Sequence, residues 1–315
     1  MILCLNLNAA IDKTILLDEF DLDKIHRSDE VVALAGGKGC NVARALKKLG
    51  KDPVVSGWVG GFAGKFIEQE LNRENIGTDF VFTDLESRTC TSIIDRTKDT
   101  LTEIYEKGEP VPEEKIEELE ALLQNIVKNY DAITLSGSLP PGVPSNIYAR
   151  LINIAHQEGV PAYIDSSKDA LRYGIAAKPF LVKPNEDEIS VLVDRKLTSV
   201  QEFAAAILAI ASEYETIVAL SMGEKGALVS DGKGVIHVQA PKVEVLSAVG
   251  SGDSMLAGLA AGFSQGLSYL EAIKSGVAAG TANTLMIGAG QFSIDDFEEV
   301  REQITVMQID FKPIK

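Results

Sequence analysis

Short apolar runs alternate with amphipathic segments along most of the chain. ILCLNLN at the start and PVVSGWVG further on are runs of β-forming residues, and they predict buried strands. Between them, NVARALKKLG carries apolar residues at helical spacing and ends at a glycine, as helices often do. The spaced apolar positions are Val42, Ala43, Leu46 and Leu49, and the closing glycine is Gly50.

The same alternation continues toward the C-terminus. Apolar runs within DAITLSGS, VPAYIDSS, FLVKPN and TIVALSMG predict further strands, and GALVS and VIHVQ predict two short ones. Because repeated strand–helix units form parallel sheets with right-handed crossovers, we predict an α/β fold with a mostly parallel sheet flanked by helices on both faces. Helices are predicted at residues 41–50, 65–72, 113–128, 146–157, 201–213, 251–266 and 269–285.

Two stretches interrupt this scheme, at about residues 12–34 and 79–108. Their short alternating runs, such as EVVAL, FVFT, TCTSIID and TLTEIYE, predict antiparallel strands of a small separate sheet. We interpret this sheet as a lid that projects from the main domain. Since no internal repeat, low-complexity stretch or flexible linker is visible, we expect a single domain over residues 1–315.

The charge balance narrows the possible partners. The chain has 46 acidic and 30 basic side chains and a formal net charge of −16. A surface this negative repels nucleic acid and anionic lipid, so we expect neither nucleic acid nor a membrane as a partner. It also repels anionic substrates, and any phosphate site must therefore depend on local hydrogen-bond donors.

Cysteine usage and the N-terminus favour a reducing compartment. The three cysteines are far apart and lack the CxxC spacing of metal sites, which argues against a disulfide framework as well. The N-terminus has no basic segment or cleavage site, and no apolar run is long enough to span a bilayer. We therefore expect a cytoplasmic protein.

The sharpest chemical signal is VGSGDS at residues 249–254. Glycines flank a serine just before a predicted helix, and Asp253 falls in the first turn of that helix. Backbone N–H groups at a glycine-rich helix start attract anions, and a carboxylate beside them can take a proton from a hydroxyl. Taken alone, the motif is more often a helix cap.

Four other loops carry candidate chemistry. AGGKGCN precedes a helix, and its glycines allow close approach to a ligand; it is neither a P-loop nor GxGxxG. KPNEDE offers oxygen ligands of the kind Mg²⁺ prefers. SGSLPPG and SMGEKGA follow buried strands, where parallel-sheet proteins place ligands. Each loop alone is compatible with an ordinary turn or cap, but all five loops together favour one site at one sheet edge.

These motifs, in this order and over essentially the whole chain, resemble the PfkB (ribokinase-like) family of carbohydrate kinases. NAAID, RTCTSII and TEIYEKGEPV further resemble the branch that contains 1-phosphofructokinase and tagatose-6-phosphate kinase. The resemblance implies a ribokinase-like fold and an ATP- and Mg²⁺-dependent kinase of a phosphorylated ketohexose. Fructose 1-phosphate is the expected acceptor, with tagatose 6-phosphate or fructose 6-phosphate as alternatives. It also implies a homodimer formed through the lid.

The resemblance assigns roles to individual positions. The catalytic group is Asp253, with Gly250, Ser251 and Gly252 as the anion hole. Acceptor contacts are implied for Asp12, Lys24, Gly37, Lys38, Asn41, Arg88 and Ser138. Nucleotide contacts are implied for Lys183, Ser221, Gly223, Gly226 and Asn283. The Mg²⁺ positions are Asn185 and Glu188.

Two positions depart from the branch, and three rival functions are disfavoured. Ala9 stands where proline is usual, and His26 where asparagine is usual, which leaves the exact sugar unsettled; His26 is equally compatible with an ordinary surface role. A kinase of an unphosphorylated sugar or nucleoside is disfavoured by Arg88. A non-catalytic sugar-phosphate regulator is disfavoured by the intact Asp253 motif. A Rossmann dehydrogenase would need GxGxxG near residue 10, which is absent.

Overall fold

The computed structural model of the chain describes residues 1–309, so residues 310–315 of the predicted domain lie outside the described part. The strands are β1 (Ile2–Asn6), β2 (Ala10–Leu17), β3 (Glu30–Gly36), β4 (Pro53–Gly60), β5 (Gly77–Thr83), β6 (Arg88–Asp95), β7 (Thr100–Tyr105), β8 (Ala132–Ser136), β9 (Ala162–Asp165), β10 (Leu181–Val182), β11 (Ile217–Ser221), β12 (Ala227–Ser230), β13 (Val235–Gln239) and β14 (Thr305–Ile309).

The helices fall largely where periodicity predicts them, although α2 begins before residue 65 and α5, α6 and α10 were not among the predicted helices. They are α1 (Lys38–Lys48), α2 (Gly61–Arg73), α3 (Glu113–Ile126), α4 (Ile147–Gln157), α5 (Lys168–Ala176), α6 (Glu186–Leu192), α7 (Val200–Tyr214), α8 (Ser251–Ser264), α9 (Tyr269–Asn283) and α10 (Ile294–Gln303). Short 3₁₀ turns occupy Val127–Asn129 and Gly223–Lys225.

The main sheet has the strand order β14-β13-β12-β11-β10-β9-β8-β1-β4-β5. From β11 to β5 all neighbouring strands are parallel, whereas β12, β13 and β14 add antiparallel pairs at the other end. The predicted mostly parallel α/β sheet is confirmed. Because parallel strands end at the same edge, the loops after β1, β8, β9, β10 and β11 meet there.

Helices cover both faces of this sheet, and each face has its own apolar core. Strand β1 shows the division, since alternate side chains of a strand point to opposite faces. Leu3 and Leu5 pack in the core formed with α3, α4 and α7. Ile2 and Cys4 pack in the core formed with α1, α2, α8, α9 and α10. The central strands are therefore packed against helices on both faces.

Helices α8 and α9 pack unusually closely through their small residues. A Cβ placed at Gly258 would lie 2.4 Å from the carbonyl oxygen of Ser275, and one placed at Gly276 would lie 2.5 Å from Leu259 Cγ. Any larger side chain would force the helices apart, because cores transmit such volume changes. This tight pair fixes the start of α8, which carries the VGSGDS motif.

The small separate sheet has the order β3-β2-β6-β7, and it corrects two predictions. FVFT lies in β5, which pairs in parallel with β4 at the edge of the main sheet, and Val81 packs in the core there. Moreover, β2 and β6 are parallel, so this sheet is mixed rather than wholly antiparallel. The long crossover through β3, α1, β4, α2 and β5 makes that pairing possible, but alternation alone does not show which strand is a neighbour.

One strand of the small sheet, β7, is exposed along its whole length. The lid bounds also shift, since β2 begins at Ala10 and β3 ends at Gly36, and residues 79–83 do not belong to it. Within residues 1–309, no helix is both long and apolar enough to cross a bilayer.

Candidate active site

The GGKG turn is held over the end of β1 by Asn6. Asn6 Nδ2 donates to the Gly36 carbonyl at 3.0 Å, and Gly37 has a φ of 100°. A Cβ at Gly37 would lie 2.5 Å from Asn6 Oδ1, so only glycine fits this turn. The turn directs the first turn of α1, with Lys38 and Asn41, to the carboxyl edge of the main sheet.

A buried aspartate that was not predicted from the sequence links two predicted lysines. Asp165 ends β9 and is only 1% exposed. Its Oδ1 lies 2.9 Å from Lys38 Nζ, and its Oδ2 lies 2.8 Å from Lys183 Nζ. Burial alone would raise the pKa of Asp165, but the two ammonium groups outweigh it and hold that pKa below its usual range. Asp165 is therefore an ionised anchor for both lysines.

Asp253 lies in the first turn of α8 and is buried. Gly250, the N-cap, has a φ of 80°, and a Cβ there would lie 2.5 Å from the Cα of Ala289. Asp253 Oδ2 accepts a hydrogen bond from Asn41 Nδ2 at 2.9 Å. Burial raises the pKa of Asp253 to about 6, although Lys38 opposes the shift. A carboxylate with that pKa is ionised near neutral pH and is a stronger base than an exposed aspartate.

The start of α8 faces Lys183. A Cβ placed at Gly252 would lie 3.3 Å from Lys183 Nζ, so the absence of a side chain lets the ammonium approach the backbone. The first N–H groups of α8 have no partners within the helix, and they favour an anion. Helix start, lysine and aspartate together can hold an anionic phosphoryl group next to a base. Gly252 offers a backbone donor, whereas the Ser251 N–H donates to the Ala248 carbonyl at 3.3 Å.

KPNEDE forms the start of α6. Asn185 Oδ1 accepts from the Glu188 backbone at 2.8 Å, and Glu188 Oε2 accepts from the Asn185 backbone at 2.9 Å, which is a reciprocal capping box. Burial raises the pKa of Glu188, and nearby Asp165 adds to the shift, which shows that this carboxylate faces the cluster. Residues 1–309 contain no cluster of three or more acidic, histidine or cysteine side chains suited to a metal.

This donor set fits Mg²⁺, which keeps several waters and is usually held by one or two carboxylates plus substrate phosphates. Glu188 can offer its second oxygen, directly or through water. The Asn185 oxygen also accepts the capping hydrogen bond, which positions Glu188, and its role as a metal ligand stays a prediction.

The SMGEKGA turn follows β11 and is tied to KPNEDE. Ser221 pairs with Asn185 in an isolated parallel bridge, and its backbone N–H donates to the Pro184 carbonyl at 2.9 Å. Gly223 and Gly226 have positive φ values, and a Cβ at Gly226 would lie 2.1 Å from the carbonyl oxygen of Val238. The predicted nucleotide loop therefore lies beside the predicted metal loop.

Asn283 is fully buried and has a different place from the predicted one. Its Oδ1 accepts from Ser254 Oγ and from the backbone N–H groups of Gly290 and Gln291, and its Nδ2 donates to the Val249 carbonyl. These bonds occupy the amide within the protein. Asn283 thus supports the anion-hole turn and the 284–291 loop rather than offering its own polar atoms to an adenine.

Arg88 and its neighbours lie at the junction of the lid and the main domain. The Arg88 guanidinium donates to the carbonyl oxygens of Asn8 and Glu106 at 3.2–3.3 Å. Ser138 accepts from the Asn8 side chain at 3.2 Å. Lys24 is exposed in the irregular segment between β2 and β3, and within residues 1–309 its ammonium makes no ion pair.

Asp12 lies in β2 against the GGKG turn. A Cβ at Gly36 would lie 2.2 Å from Asp12 Cγ, and Gly37 donates its backbone N–H to the carboxylate. Burial raises the pKa of Asp12, whereas Gly37, Arg44 and Arg88 oppose the shift. The predicted hydroxyl-binding aspartate therefore lies between the turn and the predicted phosphate-binding arginine.

The structure thus brings Lys38, Asn41, Lys183 and Asp253 into one cluster, as predicted, and adds Asp165 and Arg44. Asp165 had a recognisable signal, because it is the acid that ends the buried strand in VPAYIDSS. Arg44 had no recognisable signal in the sequence, since its position on α1 resembles that of an ordinary solvated basic residue.

Comparison with known proteins agrees with this geometry. Residues 5–296 match the family model described as pfkB family carbohydrate kinase. A tagatose-6-phosphate kinase of Staphylococcus epidermidis is 34% identical over 313 residues, which cover 98% of this chain and 100% of the relative.

Solved structures are similar over nearly the whole chain. Phosphofructokinase-2 of Escherichia coli in complex with potassium superposes with a TM-score of 0.89 at 30% identity, covering 96% of this chain and 98% of that one. The same protein has been solved with fructose-6-phosphate and in a tetrameric inhibited form. A possible 1-phosphofructokinase of Thermotoga maritima gives a TM-score of 0.88 at 26% identity, covering 98% and 99%.

Proposed function

Because the chain belongs to the pfkB family of carbohydrate kinases, we propose that it transfers the γ-phosphoryl group of ATP to a primary hydroxyl of a phosphorylated ketohexose. One observation carries the proposal: buried Asp253, with its pKa raised to about 6, lies beside the open start of α8 and close to Lys183. Phosphoryl transfer needs this combination of a proton acceptor and preorganised positive charge.

The steps follow from the positions of these groups. The acceptor hydroxyl gives its proton to Asp253 while its oxygen attacks the γ-phosphorus. The bond from that phosphorus to the β–γ bridging oxygen breaks, and ADP leaves with that oxygen. The α8 N–H groups and Lys183 stabilise the charge on the transferring group, and Lys38 stays oriented through Asp165.

Mg²⁺ would enter with ATP and would offset the charge of the phosphates when bound. Glu188 is the protein carboxylate proposed to hold it, with Asn185 fixing the start of α6. Ser221, Gly223 and Gly226 are proposed to line the nucleotide on the same side.

The existing phosphate of the acceptor is assigned to Arg88, because a guanidinium can hold a phosphate through two parallel hydrogen bonds. Asp12, Gly37 and Ser138 are proposed acceptor contacts, and Lys24 a further one from the lid. The motif resemblance favours fructose 1-phosphate as the acceptor. Tagatose 6-phosphate is the second candidate, supported by the 34% identity to a tagatose-6-phosphate kinase.

A panel of acceptors tests the proposal. ADP formation with ATP and Mg²⁺ is measured on fructose 1-phosphate, tagatose 6-phosphate, fructose 6-phosphate and free fructose. We expect kcat/KM to be highest on fructose 1-phosphate and negligible on free fructose. A higher value on another ketohexose phosphate would reassign the acceptor. Equal activity on free fructose would overturn the phosphate clamp, and no turnover on any of them would overturn the proposed function.

We further propose that two copies associate through their lids. The small sheet exposes large apolar side chains and the free edge of β7, and unpaired sheet edges favour association. The exposed side chains are Val31, Val32, Leu34, Leu101, Ile104 and Tyr105. Sedimentation equilibrium is expected to give a dimer, and Leu101→Asp combined with Ile104→Asp is expected to give monomers. A monomeric unsubstituted protein would contradict the proposal.

A further inference from the structure

Arg44 is a buried arginine next to the catalytic cluster, and it makes four hydrogen bonds. Its Nε and Nη2 donate to the Glu74 carboxylate at 2.6 and 2.9 Å, and Nη2 also donates to the Ala35 carbonyl at 2.5 Å. Its Nη1 donates to Asn41 Oδ1 at 3.3 Å. Because only 4% of Arg44 is exposed, its guanidinium has lost almost all of its hydration. The four hydrogen bonds replace those that water would make.

The Arg44–Asn41 contact dictates which way the Asn41 amide faces. A guanidinium has only donors, so the group that faces it must be the amide oxygen. The amide nitrogen then faces the other way, where it donates to Asp253 Oδ2 at 2.9 Å. The reversed amide would set a donor against the guanidinium and an oxygen against the carboxylate, so both contacts would become repulsive.

We propose that Arg44 is a positioning residue that, through the Asn41 amide, orients the Asp253 carboxylate for proton transfer. The hydrogen bond from Asn41 occupies Oδ2 and leaves Oδ1 as the oxygen for the acceptor proton. The inference rests on the proposed function for its consequence in catalysis, but the orientation itself can be measured without turnover.

The surroundings make this a fixed arrangement. Glu74 follows directly after α2, so the guanidinium is tied to a second helix. A Cβ placed at Gly290 would lie 2.4 Å from the Asn41 carbonyl oxygen and 2.9 Å from Arg44 Cβ. The 289–291 loop therefore closes over α1 at this point and keeps water out. The same loop supports the turn before α8, since Ala289 touches Gly250.

Several other charges also act on Asp253 and must be separated from this effect. Lys38 on α1 and Lys183 after β10 lower the pKa of Asp253, and Asp165 at the end of β9 raises it. None of these groups is altered by a substitution at Arg44. The Asn41 hydrogen bond lowers the same pKa, and it alone depends on the direction of the amide.

The test compares Arg44→Gln with Arg44→Lys. Glutamine is long enough to reach Asn41 but can donate or accept, so it does not select an amide direction, whereas lysine is donor-only like arginine. In protein labelled with ¹³C at aspartate carboxyls, the Asp253 signal is assigned by its loss in Asp253→Asn. Arg44→Gln is expected to raise the pKa of Asp253 by about one unit, the size of a lost charge-assisted hydrogen bond. Arg44→Lys is expected to restore most of the original value.

A matched control and a double variant separate orientation from stability and from charge. Arg150→Gln removes another paired arginine, on α4, which bonds to Glu120 outside the cluster; it is expected to lower stability without moving the Asp253 titration. Asn41→Ala should raise the pKa of Asp253 by itself, and adding Arg44→Gln to it should raise that pKa no further. An equal additional shift would show that Arg44 acts by its charge, which would overturn the inference.

Two further measurements complete the test. If Arg44→Gln does not fold, the Asn41 side-chain amide of the unsubstituted protein, labelled with ¹⁵N, is expected to follow the Asp253 titration, and an unresponsive signal would overturn the contact. In kinetics, Arg44→Gln should lower kcat about threefold at pH 6.5 and hardly at all at pH 8.5, with the KM for ATP unchanged. Full turnover by Asp253→Asn would refute the proposed function while leaving the NMR result standing.

Discussion

Replacing Asp253 with asparagine is expected to abolish turnover and, at the same time, to stabilise the folded protein. Asparagine has nearly the same shape and keeps an oxygen for the hydrogen bond from Asn41, but it cannot accept the proton of the acceptor hydroxyl. Loss of a general base costs roughly 10²–10⁴ in rate. Active sites often hold groups that destabilise the folded state. The destabilisation caused by ionised Asp253 can be worked out from its pKa.

The magnitude follows from the pKa. Burial raises the pKa of Asp253 from 3.8 to about 6, so ionising it costs the folded state about 3 kcal/mol relative to the unfolded chain. That cost is fully present above pH 6, where the folded protein carries the ionised group. It disappears as the pH falls from about 6 to below 3.8, where folded and unfolded chains are both protonated.

Denaturant unfolding at pH 8 and pH 4 measures this difference. At pH 8, Asp253→Asn is expected to gain as much as ~3 kcal/mol, or roughly 4 °C in Tm for a chain of this length. At pH 4 the gain should fall below about 1 kcal/mol. Asp295→Asn, an exposed aspartate in the first turn of α10, is the control and should lose slightly at pH 8, since acids suit that helix end. Turnover like that of the unsubstituted enzyme, or a loss of stability at pH 8, would refute the reasoning.

Two further predictions address the acceptor and the metal. Arg88→Ala should raise the KM for the sugar phosphate by a factor of about 10–100, the loss of a charge-assisted contact, and leave the KM for ATP alone. Arg96→Ala, in the turn that follows β6, is the control. An unchanged acceptor KM would remove Arg88 from the clamp. Glu188→Gln should raise the Mg²⁺ concentration needed for half-maximal rate without changing the acceptor KM. Glu202 has the same capping role on α7, so Glu202→Gln is the control and should lower only the stability. Equal Mg²⁺ titrations for the two variants would show that Glu188 is only a helix cap.

Periodicity predicted the fold well where burial on one face decided the structure. Most strands and helices of the main domain follow from apolar spacing, and so does their parallel order, but β14, α5, α6 and α10 were not predicted. Periodicity failed where the same alternating pattern fits two different places in the fold. FVFT alternates equally well in the small sheet or at the edge of the main one, and only Val81 packing against the core decides. Helix α5 has only 9 residues, which is too short for its buried positions to show a clear helical period in the sequence.

The site divides in the same way. Gly37 in GGKG and Gly250 in VGSGD can be recognised from the sequence because their positive φ angles favour glycine. Groups that act through other side chains are not, since nothing in the one-dimensional pattern distinguishes Arg44 or Asn283 from a surface arginine or a capping asparagine. Their roles depend on hydrogen bonds between segments distant in sequence, such as Glu74 with α1 and Val249 with α9.

The balance of charge in the cluster supports the proposed role of Mg²⁺. Two lysines, Lys38 and Lys183, face two aspartates, Asp165 and Asp253. The Glu188 carboxylate faces the same groups, so the ionised cluster has no net positive charge before ATP arrives. The whole chain, at −16, offers no attraction to a nucleotide triphosphate or a sugar phosphate. The start of α8 supplies only partial charge. In the proposed reaction, a divalent cation would therefore supply much of the charge that offsets the triphosphate, and Glu188 is the carboxylate proposed to hold it. When Asp253 takes the acceptor proton, its negative charge is neutralised. The net charge of the cluster then becomes more positive by one unit while the transferring group carries its negative charge.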